Sequence, residues 1–283
     1  MISTLKLNDG NEIPSLGFGV FMVENDGPCE AAVTEALKAG YRMIDTAAAY
    51  FNEGDVGKAI KKSGIPREEI YVTSKLWMQD YGYEAAKKGI ETSLKNLGLD
   101  YLDLYLLHQP YGDTAGAWKA LEEAVREGKI KSIGISNHTE KLLKNLIPQM
   151  EILPAVNQME CNPLFQQKSL RKYMDQYGIR MEAWVPLGHA DKNLLEDARL
   201  VKIAEHHHKD VGQVILRWHL QEGIVAIPKA ASKSHIEGNI DIFDFMLTDD
   251  EMAVIRSMDT GKGTHDPEDM SNAESLAQLK VHE

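Results

Sequence analysis

The chain has 283 residues, 43 % hydrophobic and 26 % charged, a globular balance that excludes disordered, collagenous and coiled-coil classes. Its 31 Lys and Arg against 43 Asp and Glu give a formal net charge of -12, so nucleic acid is not an expected partner, because phosphate binding needs a basic footprint. Two cysteines are too few for a disulfide framework, no run of ~18 apolar residues offers a membrane span, and the polar opening MISTLKLNDGNEIP lacks a signal peptide's apolar stretch; a reducing cytoplasm is the expected compartment.

In chain order, Asp9-Gly10 between two short β-prone runs predicts a hairpin, expected to close the bottom of the fold. Eight apolar, β-rich runs follow: SLGFGV (15–20), YRMIDT (41–46), IYVTSK (70–75), YLDLYLLH (101–108), KSIGIS (131–136), AVNQM (155–159), IRMEAWVP (179–186) and GIVAIP (223–228). Amphipathic stretches separate them. Ala32, Val33, Ala36 and Leu37 recur at helical spacing before Gly40, a natural stop. Ile90, Leu94 and Leu97 precede Gly98 in the same way, and Trp118, Leu121 and Val125 precede Gly128. The longer connection before the last run holds two helices, about 196–207 and 212–222.

Strand–helix alternation implies parallel strands joined by right-handed crossovers. Eight units in about 250 residues predict an α/β fold of the closed (β/α)8, or TIM-barrel, type. The expected organisation is one barrel domain over 1–283, with the hairpin in 1–14 and a C-terminal loop, 260–283, over the active site. A dinucleotide-binding Rossmann sheet is rejected: LGFGVF has two glycines at the right gap, but no third, and no helix opens there.

Barrel chemistry sits at the C-terminal ends of the strands. Those ends carry Asp45, with Tyr50 just beyond it, then Lys75, His108, Ser136 with Asn137, Asn157 with Gln158, Trp184 and Lys229. One ionisable group ending a strand is usually a cap or a solvated charge; four at one mouth point to a site. A buried Lys75 would be kept charged by Asp45. Its charge would favour the Tyr50 phenolate, lowering a pKa that starts near ~10 and fitting Tyr50 for general acid–base work. A neutral His108 would orient a carbonyl oxygen, with no metal required.

At these residues the sequence resembles the aldo-keto reductase superfamily over nearly its whole length. The matching segments are GYRMIDTAAAY (40–50), VTSKLW (72–77), LDLYLLHQP (102–110), IKSIGISN (130–137), AVNQMECNP (155–163), AWVPLG (183–188) and VAIPKA followed by HIEGN (225–239). The chain is most similar to small bacterial members of the 2,5-diketogluconate reductase-like group. The resemblance implies an NAD(P)H-dependent carbonyl reductase with Asp45, Tyr50, Lys75 and His108 as catalytic tetrad and Tyr50 as proton donor. It implies that Ser136, Asn137 and Gln158 bind the nicotinamide carboxamide, that Trp184 stacks on the ring, and that Leu187 and Gly188 pass near the pyrophosphate. It places Phe21, Ala49, Trp77 and Gln109 around the substrate, with the segment from Gly263 onward as a lid.

The adenosine end departs from the pattern of members that prefer NADPH. Lys229, Ser232, His235 and Asn239 fall on cofactor-binding positions, but Ala230 stands where a Ser is usual, His235 where an Arg is usual and Gly238 where a Glu is usual. A guanidinium forks onto phosphate at any pH, whereas imidazole is mostly neutral above about 6.5. A relaxed NADPH preference with NADH use is therefore expected. Gln109 replaces an aromatic, which favours small, dicarbonyl or sugar-like carbonyls over large flat ones. The expected state is a monomer whose partner is the small carbonyl substrate.

The competing reading is a regulatory or structural cofactor-binding protein on the same fold; a barrel hydrolase or isomerase would want a metal cluster, a Schiff-base lysine or a phosphate-binding glycine loop. No metal site is expected. His206, His207 and His208 are consecutive, so their rings are expected to diverge on a solvated helix end. Cys161 is expected to be a buried structural thiol, and Asp103 a structural acid.

Overall fold

The computed structural model of the chain describes residues 2–230 and 232–282. β1 (Thr4–Lys6) and β2 (Glu12–Pro14) pair antiparallel around the Asp9-Gly10 turn. Eight parallel strands follow: β3 (Phe18–Gly19), β4 (Met43–Asp45), β5 (Tyr71–Leu76), β6 (Leu102–Leu107), β7 (Ile130–Ser136), β8 (Val156–Glu160), β9 (Arg180–Trp184) and β10 (Val225–Ala226). They pair in sequence order. A parallel bridge from Leu16 to Ala226 joins the last strand to the first, so the sheet curls shut. The Gly17 amide donates to the Ala226 carbonyl, and the Ala226 amide to that of Ser15.

α1 (Pro28–Ala39), α2 (Glu53–Ser63), α3 (Tyr83–Leu97), α4 (Thr114–Arg126), α5 (Glu140–Leu146) and α6 (Lys168–Asp175) occupy the first six crossovers. α7 (Lys192–Leu195), α8 (Ala198–His207) and α9 (Val211–Gln221) fill the seventh, and α10 (Lys233–Ile240), α11 (Asp249–Arg256) and α12 (Met270–Leu276) follow the last strand. Gly40 and Gly98 close α1 and α3 in the left-handed conformation, as their positions predict. At Gly57 a Cβ would run into the Leu97 carbonyl, so this glycine lets α2 lie directly against the end of α3.

Two apolar layers follow from strand alternation. Leu104 and Leu106 of β6 point into the barrel with Met43, Val156 and Val225, while Tyr105 and Leu107 face the helices. Leu7 and Ile13 of the hairpin join the interior cluster. Asn8 donates to the Pro154 carbonyl, Asn11 to that of Lys131, and Arg180 to that of Lys6. The hairpin thus lies against the N-terminal ends of β7, β8 and β9, leaving the other mouth for chemistry.

The first and last barrel runs are shorter than predicted, because chain past β10 meets Pro228, which has no N–H for a ladder. α4 starts earlier than its apolar pattern, at an Asp113 side chain that accepts from the Gly116 amide. Asp103 is structural: it accepts from the Val72 amide and pairs with Arg67 and Lys131. Cys29 and Cys161 are buried, each thiol pushed up to about 12 mainly by burial, which suits inert packing groups.

The expected divergence of the histidines is corrected. His206 Nδ1 lies 2.8 Å from Glu251 Oε1 and His207 Nε2 lies 2.9 Å from Glu251 Oε2. Different ring nitrogens and a carboxylate from a second helix, α11, let neighbouring residues converge, and the three ligand atoms lie within 4.8 Å of one another.

Candidate active site

Asp45 ends β4, Lys75 is the penultimate residue of β5, His108 follows β6, and Tyr50 ends a short 3-10 turn over Ala48–Tyr50. Lys75 is completely buried (0 %). Its Nζ donates to Asp45 Oδ1 at 2.6 Å, to the Thr46 carbonyl at 2.9 Å and to Tyr50 Oη at 3.2 Å. An ammonium has three donors, and all three are engaged. Burial alone would discharge this lysine, but Asp45 and Tyr50 outweigh it and hold its pKa above the usual value.

The expected depression of Tyr50 is corrected in direction. Burial, the larger influence, raises it; Lys75 pulls it down, Asp45 and Glu182 push it back, and the net shift is upward. Tyr50 is therefore a protonated phenol at neutral pH. His108 is held well below the usual histidine range by burial and then by Lys75, so its ring is neutral. Its Nδ1 is buried without a partner, which leaves Nε2 as the nitrogen available to a ligand. The ring meets Tyr50 and Trp77 edge-on, at centroid distances of 5.5 and 5.1 Å.

The predicted nicotinamide group is brought together beside this cluster. Asn137 adopts φ +60° just past β7, a conformation Asn tolerates better than most residues. Its amide nitrogen donates to the His108 carbonyl at 3.2 Å and Gln109 Oε1 at 3.3 Å, and its Oδ1 accepts from Trp184 Nε1 at 3.0 Å. The edge of Trp184 is thereby fixed while the indole face stays free of that bond. Ser136 Oγ donates to the Gln158 carbonyl at 2.9 Å. Gln158 Nε2 donates to Asp45 Oδ2 at 2.9 Å and Glu182 Oε1 at 3.2 Å. A cavity of about 660 Å³ opens beside Asn137 and Trp184, walled by Glu160, Phe165 and Gly263.

The remaining predicted residues lie further out. Phe21 is exposed and its ring meets that of Tyr50 at a tilt, with centroids 5.0 Å apart, and Ala49 shares the turn with Tyr50. Trp77 is buried, and its Nε1 donates to the Leu279 carbonyl at 3.0 Å. Gln109 is buried and clamped through its backbone by Tyr81 Oη. Leu187 and the left-handed Gly188 open the turn before α7. Lys229 is exposed and Ala230 buried; Ser232 caps α10 through the His235 amide, and His235 and Asn239 lie in that helix. Among the described residues no side-chain hydrogen bond joins this α10 group to the tetrad; it is tied to the barrel where the Gly19 amide donates to the Pro228 carbonyl at 3.2 Å.

Four participants escape the sequence reading. Glu182 is buried inside the barrel beneath Gln158. Glu160 accepts from the Thr264 amide at 2.8 Å and the His265 amide at 3.3 Å, anchoring the C-terminal segment. Gln79 and Asp80 hold residues 281 and 282. The signal for Glu182 is present in RMEAW, where one acid sits between Met181 and Ala183 within an apolar strand.

Residues 16–260 match the aldo/keto reductase family. The chain is 49 % identical over 259 residues to the glyoxal reductase of Bacillus subtilis (strain 168), covering 90 % of this chain and 92 % of that protein. Among solved structures it is similar to the aldo/keto reductase from Brucella melitensis, with TM-score 0.88, 48 % identity and coverage of 92 % of this chain and 100 % of that one. It is also similar to Bombyx mori aldo-keto reductase in complex with NADP, with TM-score 0.89, 34 % identity and coverage of 96 % and 97 %.

Proposed function

The chain belongs to the aldo/keto reductase family and is an oxidoreductase, and from that premise we propose that it reduces small aldehydes and ketones, dicarbonyl and sugar-like compounds foremost, with NADPH or NADH. The observation that carries the reading is the bonded set Asp45–Lys75–Tyr50 beside a neutral His108. The similar glyoxal reductase names a dicarbonyl substrate, and the polar Gln109 supports the same class. The finer placement, within the 2,5-diketogluconate reductase-like group, is part of this proposal, as are a single-domain monomer and a C-terminal lid.

The residues present fit a nicotinamide dinucleotide. Gln158 has both amide hydrogens engaged and its carbonyl oxygen without a partner among the described residues. Trp184 is fixed by its edge rather than its face, and Lys229 is exposed at the far end beside the capped start of α10. Asn137, Gln158 and Trp184 would hold the nicotinamide, Leu187 and Gly188 would border the pyrophosphate, and Lys229, Ser232, His235 and Asn239 would meet the adenosine end. When bound, the reduced cofactor supplies hydride to the carbonyl carbon.

This chain's own residues do the rest. Tyr50 donates its phenolic proton to the carbonyl oxygen, Lys75 polarises that phenol from 3.2 Å, and Asp45 keeps Lys75 charged. His108 presents a neutral imidazole that orients the carbonyl oxygen. The test follows NADPH and NADH oxidation at pH 7 with methylglyoxal, phenylglyoxal and a diketo sugar acid. Turnover with either cofactor supports the reading. Tight cofactor binding without turnover on any of the three overturns it in favour of a cofactor-binding regulator.

A further inference from the structure

Gln158 stands between two acids. Its Nε2 donates one hydrogen to Asp45 Oδ2 at 2.9 Å and the other to Glu182 Oε1 at 3.2 Å. A carboxamide has two N–H donors on nitrogen and none on oxygen. Flipping this amide would turn its carbonyl oxygen toward two acceptors and forfeit both bonds. Asp45, its other oxygen held by Lys75 at 2.6 Å, receives one of the two amide hydrogens, and among the described residues only Glu182 receives the second. Glu182 is completely buried (0 %), and its second oxygen, Oε2, has no partner. Its amide contact is with Gln158 alone among the described residues.

We propose that Glu182 is a positioning residue: with Asp45 it locks the Gln158 carboxamide so that Oε1 faces the mouth and accepts an N–H from the cofactor's own carboxamide. This inference rests on the reading that the protein binds a nicotinamide dinucleotide. It assigns Glu182 no contact with cofactor or substrate. The charged and titratable groups facing Glu182 are Asp45, Lys75, Tyr50 and Tyr71. Burial first, and then Asp45, push the Glu182 carboxyl up to about 8, with Lys75 and the Gln158 bond opposing. With the proton on Oε2, the oxygen without a partner, Oε1 still accepts from Gln158, and no second negative charge is set beside the Asp45–Lys75 pair.

The experiment compares dissociation constants for NADPH and for its 3-acetylpyridine analogue, in which a methyl group replaces the carboxamide NH2. The full chain is expected to favour NADPH by about tenfold, the value of one well-made hydrogen bond. Glu182→Leu frees Gln158 to flip and brings the ratio to within about twofold, whereas Glu182→Gln, whose carbonyl accepts the same N–H, retains it. A wild-type ratio in Glu182→Leu overturns the inference. Should that variant not fold, Glu182→Gln decides by pH. An ionised carboxylate only accepts, so the wild-type preference for NADPH over the acetylpyridine analogue is expected to hold or sharpen as pH rises through about 8, and that of Glu182→Gln to stay flat; a wild-type preference that fades over that range overturns the inference. A wild type that binds neither dinucleotide overturns the functional reading together with it, whereas binding of both with variant-independent ratios overturns the inference alone.

Discussion

Lys75 Nζ lies 3.2 Å from the Tyr50 hydroxyl, and the lysine reaches it from a side chain with no exposure to solvent. A charge so placed cannot be hydrated, so its field falls on the groups it touches with little screening. Tyr50 is where that field meets the opposing effect of burial. The upward net shift of Tyr50 shows that burial wins in this structure. Lys75 then acts less by ionising the phenol than by polarising an O–H that stays protonated.

Tyr50→Phe removes the proposed proton donor and little volume. We expect kcat/KM for methylglyoxal to fall by at least about 1000-fold, in the range of lost acid–base catalysis, while the cofactor dissociation constant stays within about threefold. Steady-state kinetics and a tryptophan fluorescence titration check the two halves. Loss of cofactor binding would make Tyr50 a packing residue instead.

Lys75→Met acts on stability as well as turnover. It leaves the Asp45 carboxyl buried without its cation, and breaking a buried pair from one side costs about 3–5 kcal/mol. Urea unfolding should show that loss, and activity should vanish with it. A variant as stable as the wild type would mean that Asp45 takes up a proton at little cost.

The pH profile of reduction follows from the sign of the Tyr50 shift. A phenol raised above the ordinary value of 10 keeps its proton across the neutral range, and a neutral His108 below the usual histidine range adds no limb there. The kcat for reduction should therefore be flat from about pH 6 to 8 and fall only on the alkaline side, beyond ~10. An alkaline limb below pH 8 would show that Lys75 outweighs burial once the site is filled.

Much of this site is legible in the sequence because a barrel puts the end of every strand at one mouth. Asp45, Lys75, His108, Asn137, Gln158 and Trp184 each lie at, near or just past the C-terminal end of an apolar run, so a local pattern gives a global position. Glu182 is marked in RMEAW only as an acid within an apolar strand; whether it faces a helix, solvent or the barrel interior is set by the closure of the sheet, which no local pattern reports. The convergence of His206 and His207 depends on Glu251, 45 and 44 residues away. The direction of the Tyr50 shift is a balance of burial against charge, and residue spacing reports only the charge.

That His206–His207–Glu251 contact carries its own pH dependence. Burial alone would raise Glu251, but hydrogen bonds from His207, the Thr248 backbone and His206 hold it down to about 2. A depressed carboxyl contributes stability that is complete above its unfolded value of 4.5 and is lost as pH falls toward 2. Glu251→Gln should lower the melting temperature at pH 7 and by less at pH 3. An equal penalty at both values would mean the contact is steric rather than ionic.

The proposed adenosine end lies at the start of α10. His235 is exposed there, one turn from the Ser232 cap. His235→Arg supplies a planar, always-charged fork for a 2′-phosphate. The NADPH over NADH ratio of kcat/KM should rise by about tenfold, a charge-assisted bond's worth, with the NADH value little changed. An unchanged ratio would place the phosphate away from α10.

The C-terminal residues dock beside Trp77. The Leu279 carbonyl accepts from Trp77 Nε1 at 3.0 Å, and the Val281 amide donates to Gln79 Oε1 at 2.8 Å. Gln79 Nε2 donates in turn to the His282 carbonyl at 3.0 Å, and His282 Nε2 meets Asp80 Oδ1 at 2.8 Å. Trp77 packs edge-on to His108, so this docking orders one wall of the site without touching the tetrad. Deleting residues 279–283 frees the Trp77 edge and loosens the turn over Met78–Asp80. We expect KM for methylglyoxal to rise about tenfold while kcat and cofactor affinity stay within about twofold, the signature of lost uniform substrate binding. A fall in kcat with unchanged KM would instead show that the segment orders His108 for the chemical step.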